Sequence, residues 1–174
     1  MKKICLYSLE ILLTLGSIVS CKQKSQEQVI YNSFYKLLKE SPADEARYRQ
    51  LYNDGHRIVL KVNNQLNGLT LARTIVTYDE PIVIEIDYVE IQKRHDNLVP
   101  VIAHELDHAW EAHYQYGLPK FFELVAQQKD EQQLPWSERT FEKSAIQKEN
   151  ETRHYLLSKY SSEYIGMSDQ RSMP

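Results

Sequence analysis

One stretch constrains this chain more than any other: Val99-Pro-Val-Ile-Ala-His-Glu-Leu-Asp-His-Ala-Trp-Glu-Ala-His113. Asp96 and Asn97 can cap the start of a helix, and Pro100 is tolerated only in a first turn. Val101, Ile102, Leu106, Ala109 and Trp110 supply apolar surface. Within this helix lies His104-Glu105-Leu106-Asp107-His108, an H-E-x-x-H pattern. Residues four apart sit one turn above each other on the same face. His104 and His108 can therefore point at one Zn²⁺. Glu105 lies about 100° further round, placed to hold a water rather than to ligate. The opposing reading is a solvated His-Glu-Asp-His face on a surface helix.

The start of the chain narrows the ligand chemistry. Lys2 and Lys3 open a basic segment, and Ile11 to Val19 is an apolar run too short to span a bilayer about 30 Å thick. Ile18-Val-Ser-Cys21 then resembles a bacterial lipobox, so residues 1–20 are expected to be a lipoprotein signal peptide and Cys21 the lipidated residue. Glu10 is an unusual charge for such a leader. The chain has two cysteines. Cys5 would leave with the leader and Cys21 would carry lipid, so no thiol remains for a disulfide or a thiolate site. The zinc ligands must then be His and carboxylate. Net charge is −3, and loss of Lys2, Lys3 and Glu10 makes the remainder one unit more negative. That argues against nucleic acid as a partner, which calls for a basic patch. The sorting signal implies export and a lipid anchor in a bacterial membrane. Lys22 after the lipidated Cys resembles the outer-membrane case.

The H-E-x-x-H helix resembles that of the zincin superfamily of zinc metallopeptidases. The resemblance implies an α+β fold in which a small sheet packs on the active-site helix, with additional helices. It also implies a protein or peptide substrate that pairs with the sheet's edge strand. Residues 21–28 are expected to be a polar tether, 29–160 the metallopeptidase domain and 161–174 a flexible tail. Apolar spacing over Val29, Ile30, Phe34, Leu37 and Leu38 predicts a first helix to about Lys39. Ser41-Pro42 opens a second, which Asn53-Asp-Gly55 ends. Strands are expected over Arg57–Val62, Leu69–Tyr78 and Ile82–Tyr88. Tyr114 to Pro119 is read as a turn, followed by a helix-like run from Phe121. A long helix is expected from Ser137 to Leu157.

A hydrolytic zinc site keeps three protein ligands and an open position. The metzincin extension wants Gly and His three and six residues after the second His. Those positions are Glu111 and Tyr114, and His113 falls one short, so that class is rejected. The gluzincin pattern supplies a Glu on a later helix with a small residue three further on. Glu142-Lys-Ser-Ala145 has this form, and Glu149, seven residues on, is the alternative third ligand. Glu149, Asp107 or Glu111 is a candidate to accept the far N–H of a ligand His. Glu142-x-x-Ala-Ile with Glu149-Asn150-x-x-Arg153 and Tyr160 also resembles the C-terminal pattern of bacterial secreted-effector metallopeptidases, over roughly residues 99–160. Only the metal ligand and the base are carried over.

The implied chemistry is peptide-bond hydrolysis, with Glu105 as general base and zinc on His104, His108 and Glu142. Tyr155, Tyr160 and His154 are candidates to steady the oxyanion. Two other classes compete. A non-catalytic surface-binding lipoprotein would retain the fold without needing Glu105. A structural zinc module would close the site with His113, His95 or Glu149.

Overall fold

The computed structural model describes residues 23–66, 70–79, 81–127, 134, 138–139 and 142–159. Cys21 and the leader, Ser137, Tyr160 and the 161–174 tail lie outside them. The described residues form an α+β fold. Helix α1 covers residues 23–40 and α2 covers Pro42–Asn53. Three strands follow, β1 (Ile58–Val62), β2 (Ala72–Ile75) and β3 (Ile82–Ile86). Then come α3 (Tyr88–Lys93), α4 (Leu98–Trp110), a π-helical turn (Glu111–Gln115), α5 (Leu118–Gln127) and α6 (Lys143–Lys159). No described helix is long and apolar enough to cross a membrane.

The sheet order is β1-β3-β2, with β1 parallel and β2 antiparallel to β3. In β3, Ile82, Ile84 and Ile86 are buried and alternate with half-buried Val83 and Glu85, the period of two that a strand requires. On β2, Ala72 is buried and Arg73 is exposed, and Val76, just past the strand, is buried. Arg73 pairs across the strands with Glu85 at 2.7 Å on the outer face.

Helix α4 is the central element. Every residue from Leu98 to Ala109 is buried, which fits a helix apolar on most of its circumference. It packs against α2, α6, β2 and β3. Asn97 caps it as the sequence predicts, its side chain accepting the Val99 N–H at 2.9 Å. Ile102 and Leu106 have no exposed surface, and burying each such side chain contributes about 1.5–3 kcal/mol.

Several expectations shift. Residues 23–28, read as tether, belong to α1. Gln26 there is buried and accepts from Asn64 at 3.2 Å. The second strand is regular only over Ala72–Ile75, the four residues that pair with Val83–Ile86 of β3. The third stops at Ile86. Asp87 instead caps α3, accepting the Glu90 N–H at 2.8 Å. The Asp87-x-x-Glu90 spacing is a helix-start signal that the apolar alternation through Tyr88 overrode. Ser41 occupies the start of α2, yet its hydroxyl donates to the Asp44 carboxylate instead of accepting a backbone N–H. The long helix begins at Lys143, with Arg139 outside it.

Candidate metal centre

The chain leaves α4 through a turn wider than an α-helix, in which the Tyr116 N–H reaches the Glu111 carbonyl at 3.0 Å. The turn ends at Gly117, whose φ of +72° favours glycine. Helix α6 then returns alongside α4. Fully buried Ala145 keeps the contact between the two helices free of bulk. Glu142 sits just before α6, its carbonyl accepting the first helical bond, from the Ile146 N–H at 2.9 Å. A carboxylate at that end is favoured by the helix dipole.

This packing brings His104, His108 and Glu142 together, all buried. The Nε2 atoms of the two histidines are 3.2 Å apart. Glu142 Oε2 lies 3.2 Å from His104 Nε2 and 3.3 Å from His108 Nε2. Ligands held about 2.0–2.1 Å from a tetrahedral zinc stand roughly 3.3–3.4 Å apart. The three donor atoms form a triangle of nearly that size. Two neutral imidazole lone pairs this close repel unless positive charge lies between them. The donor set therefore fits a divalent cation on His104, His108 and Glu142.

The surroundings raise the basicity of both rings. Burial pulls the His104 pKa down, but hydrogen bonds to Glu142 and Glu149 and the charge of Glu105 outweigh it and raise the pKa to about 10. For His108, burial is outweighed by Glu111, Glu142 and Glu105, which raise it to about 9. Burial would raise the Glu142 pKa, yet the two histidines hold it down at about 2. An environment that stabilises imidazolium also stabilises a metal cation in its place.

Glu149, the alternative ligand, does not face the triangle. Its Oε2 lies 3.4 Å from His104 Nδ1, the far ring nitrogen, and its Oε1 accepts from Arg153 at 2.9 Å. Glu111 Oε2 takes the matching place at His108 Nδ1, also at 3.4 Å. A carboxylate thus stands behind each ring, the position from which it can set tautomer and aim. Asp107 plays no such part. It pairs with Arg47 at 3.0 Å and accepts from Ser144 at 3.0 Å. His113 packs against His56, the ring centroids 3.8 Å apart. His95 lies just beyond α3 with φ of +54°. Among the described residues, His104, His108 and Glu142 are the group able to share a metal ion. His154 and Tyr155 lie on exposed faces of α6, and Tyr155 stands against the Lys159 ammonium.

Glu105 is buried beside the triangle. Its Oε2 lies 2.7 Å from the hydroxyl of Thr74 on β2, and its carbonyl oxygen 2.8 Å from the same hydroxyl. The sequence reading missed Thr74. The available signal is that Ala72 and Thr74 share the face of β2 that meets α4, and Thr74 is the polar one. Threonine is so ordinary in strands that this signal is weak.

No family model matches the sequence, and no match to it is found among curated proteins or solved structures.

Histidine ligates only as the neutral base. At pH 7 both ring pKa values lie above the solution pH, so zinc uptake by protein stripped of divalent ions should release one to two protons per ion. Calorimetry in buffers of different ionisation enthalpy measures this. The sign for stability is the same. Both folded values exceed the free-histidine value of about 6.5. In the stripped protein the contribution is fully present below that value and is lost as pH rises through about 9 and then about 10. Zero proton release at pH 7 would mean that the rings are neutral before zinc arrives.

Proposed function

We propose that this chain is a zinc-dependent metallopeptidase of the zincin, gluzincin-like type, lipidated at Cys21 and anchored to a bacterial membrane. The observation that carries the reading is the triangle of His104 Nε2, His108 Nε2 and Glu142 Oε2, with Glu105 beside it and committed to none of the three. A zinc ion held there supplies Lewis acidity that activates a water and polarises a scissile carbonyl.

The chain's own residues do the rest. Glu105 accepts the proton of the attacking water and returns it to the leaving amine. Glu111 and Glu149 keep the two imidazoles aimed and hold hydrogen on the far nitrogens. Strand β2 has β3 as its one sheet neighbour among the described residues. Its other edge offers backbone donors and acceptors to an extended peptide next to Glu105. A purely structural zinc module would fill its fourth position with His113, His95 or Glu149, and the positions of all three favour an open site over that module.

The test is zinc per chain in purified protein. Wild type should hold about one zinc. Glu142→Ala should lose it, because two histidines without a carboxylate make a poor site. Glu149→Ala should keep the stoichiometry with affinity about 10–100-fold weaker, the usual cost of losing a carboxylate behind a ligand histidine. A wild-type chain that stays metal-free after zinc loading would end the proposal.

A further inference from the structure

The Thr74 hydroxyl meets two acceptors, and both belong to Glu105. It stands 2.7 Å from the carboxylate Oε2 and 2.8 Å from the backbone carbonyl oxygen of the same residue. A hydroxyl has one hydrogen and two lone pairs, so it cannot donate fully to both at once. The contact to Oε2 is the shorter, so the hydroxyl spans the carboxyl group and the backbone of one residue and ties the Glu105 side chain to β2.

We propose that Thr74 is the positioning residue of the base, holding the Glu105 carboxyl in one orientation. The inference rests on the metallopeptidase reading above. It gives a local feature a tertiary cause: the base is fixed from the edge strand and not from its own helix. Thr74 pairs with Ile84, which has no exposed surface, and shares its face of β2 with buried Ala72. The register of β2 against β3 therefore sets where Oε2 lies. A one-residue slip would turn Arg73 or Ile75 toward α4 in place of Thr74.

Thr74→Val keeps the side chain's shape and removes the hydroxyl, while Thr74→Ser keeps the hydroxyl. A readout that needs no turnover is the binding of acetohydroxamic acid to zinc-loaded protein. A hydroxamic acid chelates zinc as its anion and gives its proton to a neighbouring base, here Glu105. We expect Thr74→Val to bind this probe about tenfold more weakly, with zinc content unchanged. Thr74→Ser should return to within about twofold of wild type, and Glu105→Gln should be at least as weak as Thr74→Val. Wild-type-like binding by Thr74→Val beside weak binding by Glu105→Gln overturns the role of Thr74 and leaves the hydrolytic reading standing. A Thr74→Ser variant as weak as Thr74→Val, with a lowered Tm, assigns the residue to packing and also overturns it. Failure of zinc-loaded wild type to bind the probe, or unchanged binding by Glu105→Gln, overturns the hydrolytic reading and Thr74's role with it.

Discussion

Glu105→Gln is expected to lower kcat/KM for an unstructured protein substrate such as casein by about 10² to 10⁴, the range for loss of a positioned general base, while zinc content stays at the wild-type level. The two halves of this result depend on different atoms. Metal retention rests on the triangle of His104, His108 and Glu142, to which Glu105 contributes no atom. Activity rests on a carboxylate able to take and return a proton, which an amide of the same shape cannot do. The replacement fits the space, since Gln keeps an oxygen or nitrogen within reach of the Thr74 hydroxyl at the Oε2 position. Folding and loading should therefore be intact. The comparison also separates classes of protein. A surface-binding lipoprotein that kept the fold would show zinc in both forms and cleavage in neither.

Asp44→Ala should carry the largest stability cost, about 3 kcal/mol, a fall in Tm of roughly 10 °C for a chain of this size. Asp44 has no exposed surface. Its carboxylate accepts from Ser41 and, at 3.1 Å, from Thr152, and it stands 3.7 Å from the Lys148 ammonium. Thr152 and Lys148 are themselves buried on α6. Removing Asp44 takes the shared acceptor from two hydroxyls and leaves the buried Lys148 ammonium only the half-exposed Glu151, also 3.7 Å away, and a buried charge stripped of its interior partner costs far more than the intact pair contributes. The same contact ties α2 to the helix that carries Glu149 and follows Glu142. The control is Glu45→Ala, next in sequence. Its pair with Arg49 lies at the surface, 70% and 40% exposed, and exposed pairs of this kind contribute little. Thermal unfolding of both variants, with zinc and without, measures the contrast.

The fate of the sequence expectations follows a physical line. Features set by contacts within a turn or two were legible. The helix from Leu98, its Asn97 cap and the shared face of His104 and His108 all follow from the 3.6-residue period and the orphan N–H groups of a helix start. The alternation of Ile82, Ile84 and Ile86 is equally local. Short elements were harder, because three or four residues carry little periodicity. Six-residue α3 went unseen, its first residue Tyr88 read as the end of a strand, and the π-turn after Trp110 went unseen because no residue type specifies the extra residue in that turn.

The ligand assignment divides along the same line. The sequence by itself pointed to histidine and carboxylate as metal ligands through the H-E-x-x-H spacing, and showed Glu142 and Glu149 as both able to serve, with Ala145 favouring the first. It could not choose between them, since seven residues on one helix return to nearly the same face. Only the phase of α6 against α4, set by packing between segments more than thirty residues apart, turned Glu142 toward the Nε2 atoms and Glu149 toward the far nitrogen of His104. Packing of α2 and α6 on α4 gave Asp107 to Arg47 and Ser144, while Glu111 reaches His108 from three residues on. Thr74 meets Glu105 across 31 positions of chain, through a strand register that the amino-acid order of neither segment encodes alone.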